Sequence, residues 1–309
     1  MKYIVTGGAG FIGSHIVENL AQNNHEVVIL DNLFSGKLEN IEPFLKEDSV
    51  TFVQGSSTDL PLLRQTFEGA DGIFHEAAIT SVPRSVKDPI LSNEANVMGT
   101  LNVLVAAQKC GIKKIVYASS SSVYGDTPTL PKREDMVPNP KSPYATTKIT
   151  GEYYLNVFCE LYGMNTVSLR YFNVFGPRQD PNSEYAAVIP KFITKILSHN
   201  SPVIYGNGSQ TRDFTYVKDV AQANIRAMES DAQGVFNIAY GKRITLINLA
   251  RMIMEILGET LPLKYEAARL GDIHDSLADI SAAQEAFWYA PEYTVRSGLK
   301  ETIAWYKNQ

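Results

Sequence analysis

Lys2-Tyr3-Ile4-Val5-Thr6-Gly7-Gly8-Ala9-Gly10-Phe11-Ile12-Gly13 decides the fold. The short apolar run at Tyr3 to Val5 reads as a buried strand, and the glycines that follow open a helix continuing through Glu18 to Ala21. Gly8, Gly10 and Gly13 satisfy G-x-G-x-x-G, while Gly7, Gly10 and Gly13 satisfy G-x-x-G-x-x-G. Either spacing sets a tight turn and a bare helix N-terminus against a pyrophosphate. A second strand, Glu26 to Leu30, ends in Asp31, 18 residues beyond Gly13. A carboxylate there accepts from adenosine ribose hydroxyls and repels a 2′-phosphate, so NAD is expected rather than NADP.

Alternation of strand and helix continues outward from this unit. Val50 to Val53 is expected as a third strand and Leu60 to Phe67 as a helix. Gly72 to Phe74 reads as a fourth strand, ending in His75-Glu76-Ala77-Ala78, whose small residues let backbone approach a cofactor. His75 is read as structural, beside that turn. Pro89 to Cys110 is expected as one long helix stopped by Gly111. Lys113 to Ala118 is a strand running into Ser119-Ser120-Ser121-Ser122. In a doubly wound sheet ligands sit beyond the carboxyl ends of the strands, which gives these hydroxyls a functional reading beside the plainer one of a serine-rich turn. After a proline-rich loop, a helix from Tyr144 to about Tyr162 ends at Gly163, and Asn165 to Arg170 is the next strand. Beyond Gly176 the alternation weakens, and a second region is expected.

Residues four apart share a helix face, so Tyr144 and Lys148 project together. An adjacent ammonium is expected to lower the phenol from about 10 and make it a usable base. With 16 tyrosines in the chain, about one Tyr-x-x-x-Lys arises by chance, so the pair gains meaning only from following a dinucleotide site and a strand-end hydroxyl.

Of the 309 residues, 44% are apolar and 20% charged, which suits a globular protein with ample core. A net charge of −5 argues against a nucleic-acid or anionic-membrane surface. Any anionic ligand then needs local cations, for which Arg212 and Arg269 are candidates. Cys110 and Cys159 are read as reduced core residues. No histidine has metal-ligand spacing, and no metal is expected. No run of about 18 apolar residues is seen, and a cytoplasmic location is expected.

Taken together, Gly7 to Gly13, Asp31-Asn32, His75 to Ala78, Asn96-Val97-Met98-Gly99-Thr100, Ser119 to Gly125, Tyr144 to Lys148, Arg170-Tyr171-Phe172-Asn173 and Arg212-Asp213-Phe214 resemble the extended short-chain dehydrogenase/reductases over essentially the whole chain. The chain resembles their nucleotide-sugar 4-epimerases most. Arg178-Gln179 followed by Tyr185 to Pro190 is similar to UDP-N-acetylglucosamine 4-epimerases. The resemblance implies an α/β fold: a doubly wound Rossmann-type parallel sheet with a smaller α/β substrate-binding region. Residues 1–175, joined by a later segment of roughly 212–242, would bind NAD, and the remainder of 176–309 would bind substrate.

It further implies that Tyr144 is the base, that Lys148 holds the nicotinamide ribose and tunes the phenol, and that Ser120 bonds the sugar hydroxyl. Cofactor contacts are implied for Gly7, Gly10, Phe11, Ile12, Gly13, Asp31, Asn32, Ser35, Gly36, Ala77, Ala78, Asn96, Ser119 and Tyr171, beside Tyr144 and Lys148. Substrate contacts are implied for Ser81, Ser121, Asn173, Gln179, Ala187, Val188, Tyr205, Arg212, Arg269, Asp272 and Ser276, beside Ser120 and Tyr144. Ser276 falls where relatives restricted to glucose and galactose carry a bulky tyrosine. One departure stands out: the family has Gly-Asp after the third strand, whereas Ser56 follows Gly55 here, removing the expected partner of the adenine amino group. Related 4,6-dehydratases carry Asp-Glu after the hydroxyl residue, and Ser121-Ser122 in that place favour simple epimerisation. A UDP-glucuronate 4-epimerase or decarboxylase, and a non-catalytic dinucleotide sensor on the same fold, stay open as alternatives. A homodimer is expected through the Pro89 and Tyr144 helices, with Val97, Leu101, Leu104, Tyr154 and Phe158 supplying either that face or the monomer core.

Overall fold

A computed structural model describes residues 1–181, 187–267 and 274–309. The first half alternates as the sequence predicts: β1 (Lys2–Thr6), α1 (Phe11–Gln22), β2 (Glu26–Asp31), β3 (Val50–Gln54), α2 (Leu60–Thr66) and β4 (Gly72–His75). Next come α3 (Val82–Lys87), α4 (Pro89–Asn93), α5 (Gly99–Lys109), β5 (Lys114–Ser120), α6 (Pro143–Tyr162) and β6 (Asn165–Tyr171). The second half holds β7 (Val174–Phe175), α7 (Val188–Leu197), β8 (Val203–Tyr205), β9 (Thr211–Asp213), β10 (Thr215–Tyr216) and α8 (Val217–Glu229). It closes with β11 (Gly234–Ile238), β12 (Arg243–Thr245), α9 (Leu246–Leu257), β13 (Lys264–Glu266), α10 (Ser281–Phe287) and α11 (Val295–Lys307).

Seven strands form one parallel sheet in the order β11-β6-β5-β4-β1-β2-β3. Alternate residues of β1 go to opposite faces: Val5 packs with Ile16, Val17 and Phe74, and Ile4 with Leu30, Ile73 and Leu104. With both faces covered, the central strand β1 is buried along nearly its whole length, whereas the edge strand β3 is partly exposed. A separate core, with Phe192, Ile193, Ile204, Leu249, Ile253 and Leu299, joins α7, β8, α9 and α11. Chain order reverses between β1 and β4, which opens a crevice at their carboxyl ends.

The single helix expected over Pro89 to Cys110 is instead α4 and α5 joined by a π turn at Glu94–Met98. The turn is held by Asn96, whose side chain bonds the Ile79 N–H and carbonyl at 2.8 and 3.1 Å and the Thr147 hydroxyl at 3.0 Å. Extra residues in a turn of this kind aim a side chain elsewhere than onto the regular helix face.

Candidate active site

A cavity of about 1380 Å³ lies over the β1/β4 crevice. At one end, Gly7 sits at φ +71°, and a Cβ there would meet the Ala77 nitrogen at 2.6 Å. A Cβ on Gly13 would meet the Gly7 carbonyl oxygen at 2.3 Å. Only glycine permits this folding of turn onto helix. The α1 N-cap, Gly10, supplies no side-chain cap, so the helix presents bare N–H donors to the cavity. Asp31 accepts from the Ala9 N–H at 3.0 Å and the Leu33 N–H at 2.8 Å. Burial raises its carboxyl, and those two bonds oppose the rise. A turn that only glycine permits, a bare helix end and a buried acid 18 residues on fit NAD. At the departure from the family pattern, Ser56 and Thr58 hydroxyls lie 2.8 Å apart and satisfy each other.

At the other end, α6 is capped by Ser142, which accepts from the Ala145 N–H at 3.1 Å, and starts at Pro143. That start fixes the buried face carrying Tyr144 and Lys148. The Lys148 ammonium donates to the Ala118 carbonyl at 2.6 Å and stands 4.9 Å from the Tyr117 ring and 5.9 Å from the Tyr144 ring. Burial pushes the Tyr144 phenol up to about 12, a rise that Glu76 adds to and a hydrogen bond with Ser120 opposes. Burial also brings Lys148 down to about 8, against Glu76 and Glu152. The expected lowering of the phenol by its lysine is therefore not what the protein alone provides; desolvation dominates both groups.

Beneath them, Arg170 grips Glu152 bidentately at 2.9 and 2.7 Å, and the Ser119 hydroxyl donates to the same carboxylate. Arg170 also lies 4.7 Å over the Tyr124 ring. Losing one member of a buried pair of this kind costs about 3–5 kcal/mol. His75 bridges Thr6 and Thr100 hydroxyls at 2.7 and 2.9 Å and is held neutral by burial, its value near 3, so the structural reading of it stands.

The cavity brings together Gly7, Gly10, Phe11, Ile12, Gly13, Asp31, Asn32, Ser35, Gly36, Ala77, Ala78, Ser81, Ser119, Ser120, Ser121, Tyr144, Lys148 and Tyr171 from the first half of the chain. Asn173, Gln179, Ala187, Arg212 and Ser276 reach it from the second. Three expected residues are not brought there. Asn96 is consumed as the strut behind the wall. Val188 begins α7 one residue past the lining Ala187, and Tyr205 lies at the end of β8, away from the cavity. Arg269 and Asp272 lie outside the described residues.

Asn173 takes a left-handed φ of 36° and donates to the Asp213 carbonyl at 3.1 Å and to the Ser276 hydroxyl at 3.5 Å. Arg212 donates to the Thr211 and His274 carbonyls at 2.9 and 3.1 Å. Two lining atoms, Ser122 Oγ and Gln179 Oε1, are buried with no hydrogen-bond partner among the described residues. Buried polar atoms want a hydrogen bond, and a ligand hydroxyl or amide can supply it. Sequence reasoning missed Ser122 and Glu76, although both sit inside motifs it used. Cys110 and Cys159 are free and half-buried. Among the described residues no cluster could hold a metal, and no helix is long and apolar enough to cross a membrane.

A profile of the NAD dependent epimerase/dehydratase family matches residues 3–239. The chain is 38% identical to a UDP-glucose 4-epimerase of Mycolicibacterium smegmatis, covering 100% of this chain and 99% of that one. Among solved structures it is similar to a UDP-N-acetylglucosamine 4-epimerase from Methanobrevibacter ruminantium in complex with UDP-N-acetylmuramic acid. That match has a TM-score of 0.96 and 46% identity over 100% of this chain and 98% of the other. A Thermus thermophilus UDP-glucose 4-epimerase complex with NAD matches at TM-score 0.89 and 35% identity, over 99% of each chain.

Proposed function

Because the chain belongs to the NAD dependent epimerase/dehydratase family, we propose that it inverts C4 of a UDP-hexose. Its substrates are UDP-N-acetylglucosamine and UDP-N-acetylgalactosamine, with UDP-glucose and UDP-galactose also accepted. One observation carries this reading: Ser120, Tyr144 and Lys148 converge on a cavity that also holds a dinucleotide cradle, while the residues after Ser120 are serines without a carboxylate. Gly7, Gly10, Gly13 and Asp31 hold NAD, which when bound supplies the hydride acceptor and later the donor. Tyr144 takes the proton of the sugar 4-hydroxyl, with Ser120 bonded to that hydroxyl, and gives it back after the sugar has turned over. Lys148 holds the ammonium charge that favours the phenolate. Ser121 and Ser122, the residues that follow Ser120, carry no carboxylate to remove a C5 proton, so the 4-keto sugar is reduced again.

We assign the dinucleotide to residues 1–175 with a later segment of roughly 212–242, and the substrate to the rest of 176–309. In this reading Arg212 and Asn173 approach the diphosphate or its ribose and Gln179 belongs to the substrate pocket, which their lining of the cavity supports. The test is incubation with UDP-glucose, UDP-galactose, UDP-N-acetylglucosamine and UDP-glucuronate, followed by separation of the products. Formation of UDP-N-acetylgalactosamine is expected; turnover of UDP-glucuronate alone would overturn the reading.

The protein acts as a homodimer. Of the five residues offered by sequence, Leu104 and Phe158 fill the core, whereas Val97, Leu101 and Tyr154 are half-buried and stay available to the contact face. Ile90, Tyr153, Val157, Leu161 and Tyr162 are the large exposed apolar residues of α4 and α6, at 72%, 59%, 43%, 69% and 46%. Sedimentation at micromolar concentration should give twice 34.2 kDa.

A further inference from the structure

Glu76 is the acidic side chain of the cavity beside Tyr144 and Lys148, and the mechanism above leaves it idle. Its backbone extends the β1/β4 pairing by one bond, from the Glu76 N–H to the Thr6 carbonyl at 3.0 Å, which fixes where the carboxylate stands. The Tyr171 hydroxyl donates to Glu76 Oε1 at 2.8 Å and itself accepts from Asn224 Nδ2 at 2.8 Å. A second anchor, Val220 on α8, takes that same amide at 2.9 Å, so Tyr171 and Glu76 are tied to the scaffold.

The charges around the reaction end then sort themselves. Arg170 and Glu152 neutralise each other. What is left there among the described residues is a buried cation, Lys148, which is 2% exposed and donates to the Ala118 carbonyl, and a carboxylate without a cation in contact, Glu76. They form no ion pair among the described residues, although each acts on the other electrostatically. A buried ammonium without a counter-charge loses its proton. A counter-charge in contact would instead occupy the donors that a ligand needs.

We propose that Glu76 is a positioning residue for the reaction: lining the same cavity as Lys148 without pairing to it, it keeps the lysine an ammonium while leaving donors free for a ligand. The groups facing Glu76 are Lys148 and Tyr144 on α6, Tyr171 on β6 and Tyr117 on β5, with His75 beside it neutral. Lys148 is the cation among them, and the sign follows. Removing the carboxylate makes Lys148 titrate at lower pH. The geometry of the carboxylate stands apart from the function, and only the kinetic arm below rests on the epimerase reading.

The test is Glu76→Gln, which keeps the size and the oxygen that accepts from Tyr171. In nucleotide-free protein carrying 13C-labelled lysine, the Lys148 signal is assigned by its loss in Lys148→Arg. Its midpoint should fall by roughly half a pH unit or more in Glu76→Gln. The alkaline limb of kcat should move the same way, with KM held. An unmoved Lys148 midpoint in a folded variant overturns the proposal, whatever the activity. Failure to turn over any UDP-sugar, with the midpoint shifted, overturns the function and leaves Glu76 as the counter-charge. Should Glu76→Gln not fold, the unmodified protein serves: the Glu76 carboxyl 13C signal should titrate near neutrality, and the Lys148 signal should move in the same step. Independent titrations of the two signals overturn the proposal.

Discussion

The two ends of the cavity are built on opposite plans. At the dinucleotide end, Asp31 and the glycine turn are already bonded to backbone, within a segment of about thirty residues that is contiguous in sequence. At the sugar end, Asn173, Gln179, Ala187, Arg212 and Ser276 arrive from separate segments, and Ser122 Oγ and Gln179 Oε1 have no hydrogen-bond partner among the described residues. The first end is finished before any ligand arrives; the second keeps hydrogen-bonding capacity in hand. Shape and charge should therefore govern the first, and chemistry and volume the second.

The sharpest break is at Tyr144, where the two ends meet. Tyr144→Phe removes the proton acceptor and no packing, so kcat should fall by about two to four orders of magnitude. UDP-sugar affinity, measured by calorimetry, should hold. Near-normal turnover would mean that another group takes the proton.

Gly7→Ala attacks the dinucleotide end by shape alone. A left-handed alanine costs about 1–3 kcal/mol, and its Cβ would press on the Ala77 nitrogen at 2.6 Å, adding about 1–3 kcal/mol of overpacking. NAD binding should weaken by tenfold or more, with the melting temperature lowered. A Tyr144-like loss of kcat with full NAD retention would contradict the division of labour between the ends.

Ser276→Tyr attacks the other end by volume. Ser276 is held by its N–H bond to the Thr211 carbonyl at 3.1 Å and lines the cavity beside Asn173 and Arg212. A tyrosine there should fill the space of an acetamido group, costing about 1–3 kcal/mol on N-acetylated substrates, or roughly 5- to 150-fold in kcat/KM. UDP-galactose should be spared. Equal loss on both sugars would mean general damage.

The same division explains what could be read from sequence. The dinucleotide end is legible because glycine spacing, strand and acid occur in order along the chain, and every residue expected there lines the cavity except Asn96. Asn96 was expected there through the resemblance alone, while here a π turn swings it onto Ile79 and Thr147. Ser120 and Ser276 were legible through motif position alone. Tyr205 was not: its fate depends on the pairing of β8 with β13 at Tyr205 and Glu266, a long-range register that no local pattern encodes. Glu76 was hidden between the more familiar His75 and the two alanines. Its proposed role shows only when Arg170 is seen to pair with Glu152, leaving Glu76 as the carboxylate near Lys148 that no cation contacts among the described residues.

The smallest expected effect concerns charge at Asp31. The side chain accepts backbone N–H bonds through both oxygens, and Gly36 packs so closely that a Cβ there would lie 2.8 Å from Oδ2. Asp31→Asn keeps that shape and removes the charge, so the turn should persist. One amide hydrogen would then face a backbone donor, a mismatch worth about 1–2 kcal/mol, and NAD should bind roughly ten times more weakly to nucleotide-free protein. The repulsion of a 2′-phosphate disappears with the carboxylate, so NADP should lose less than NAD or gain. The ratio of the two dissociation constants should move toward NADP by about tenfold, and added salt should narrow the wild-type preference because it screens a charge effect. A ratio unchanged by the substitution would mean that backbone shape, and not the Asp31 charge, selects the cofactor at this end.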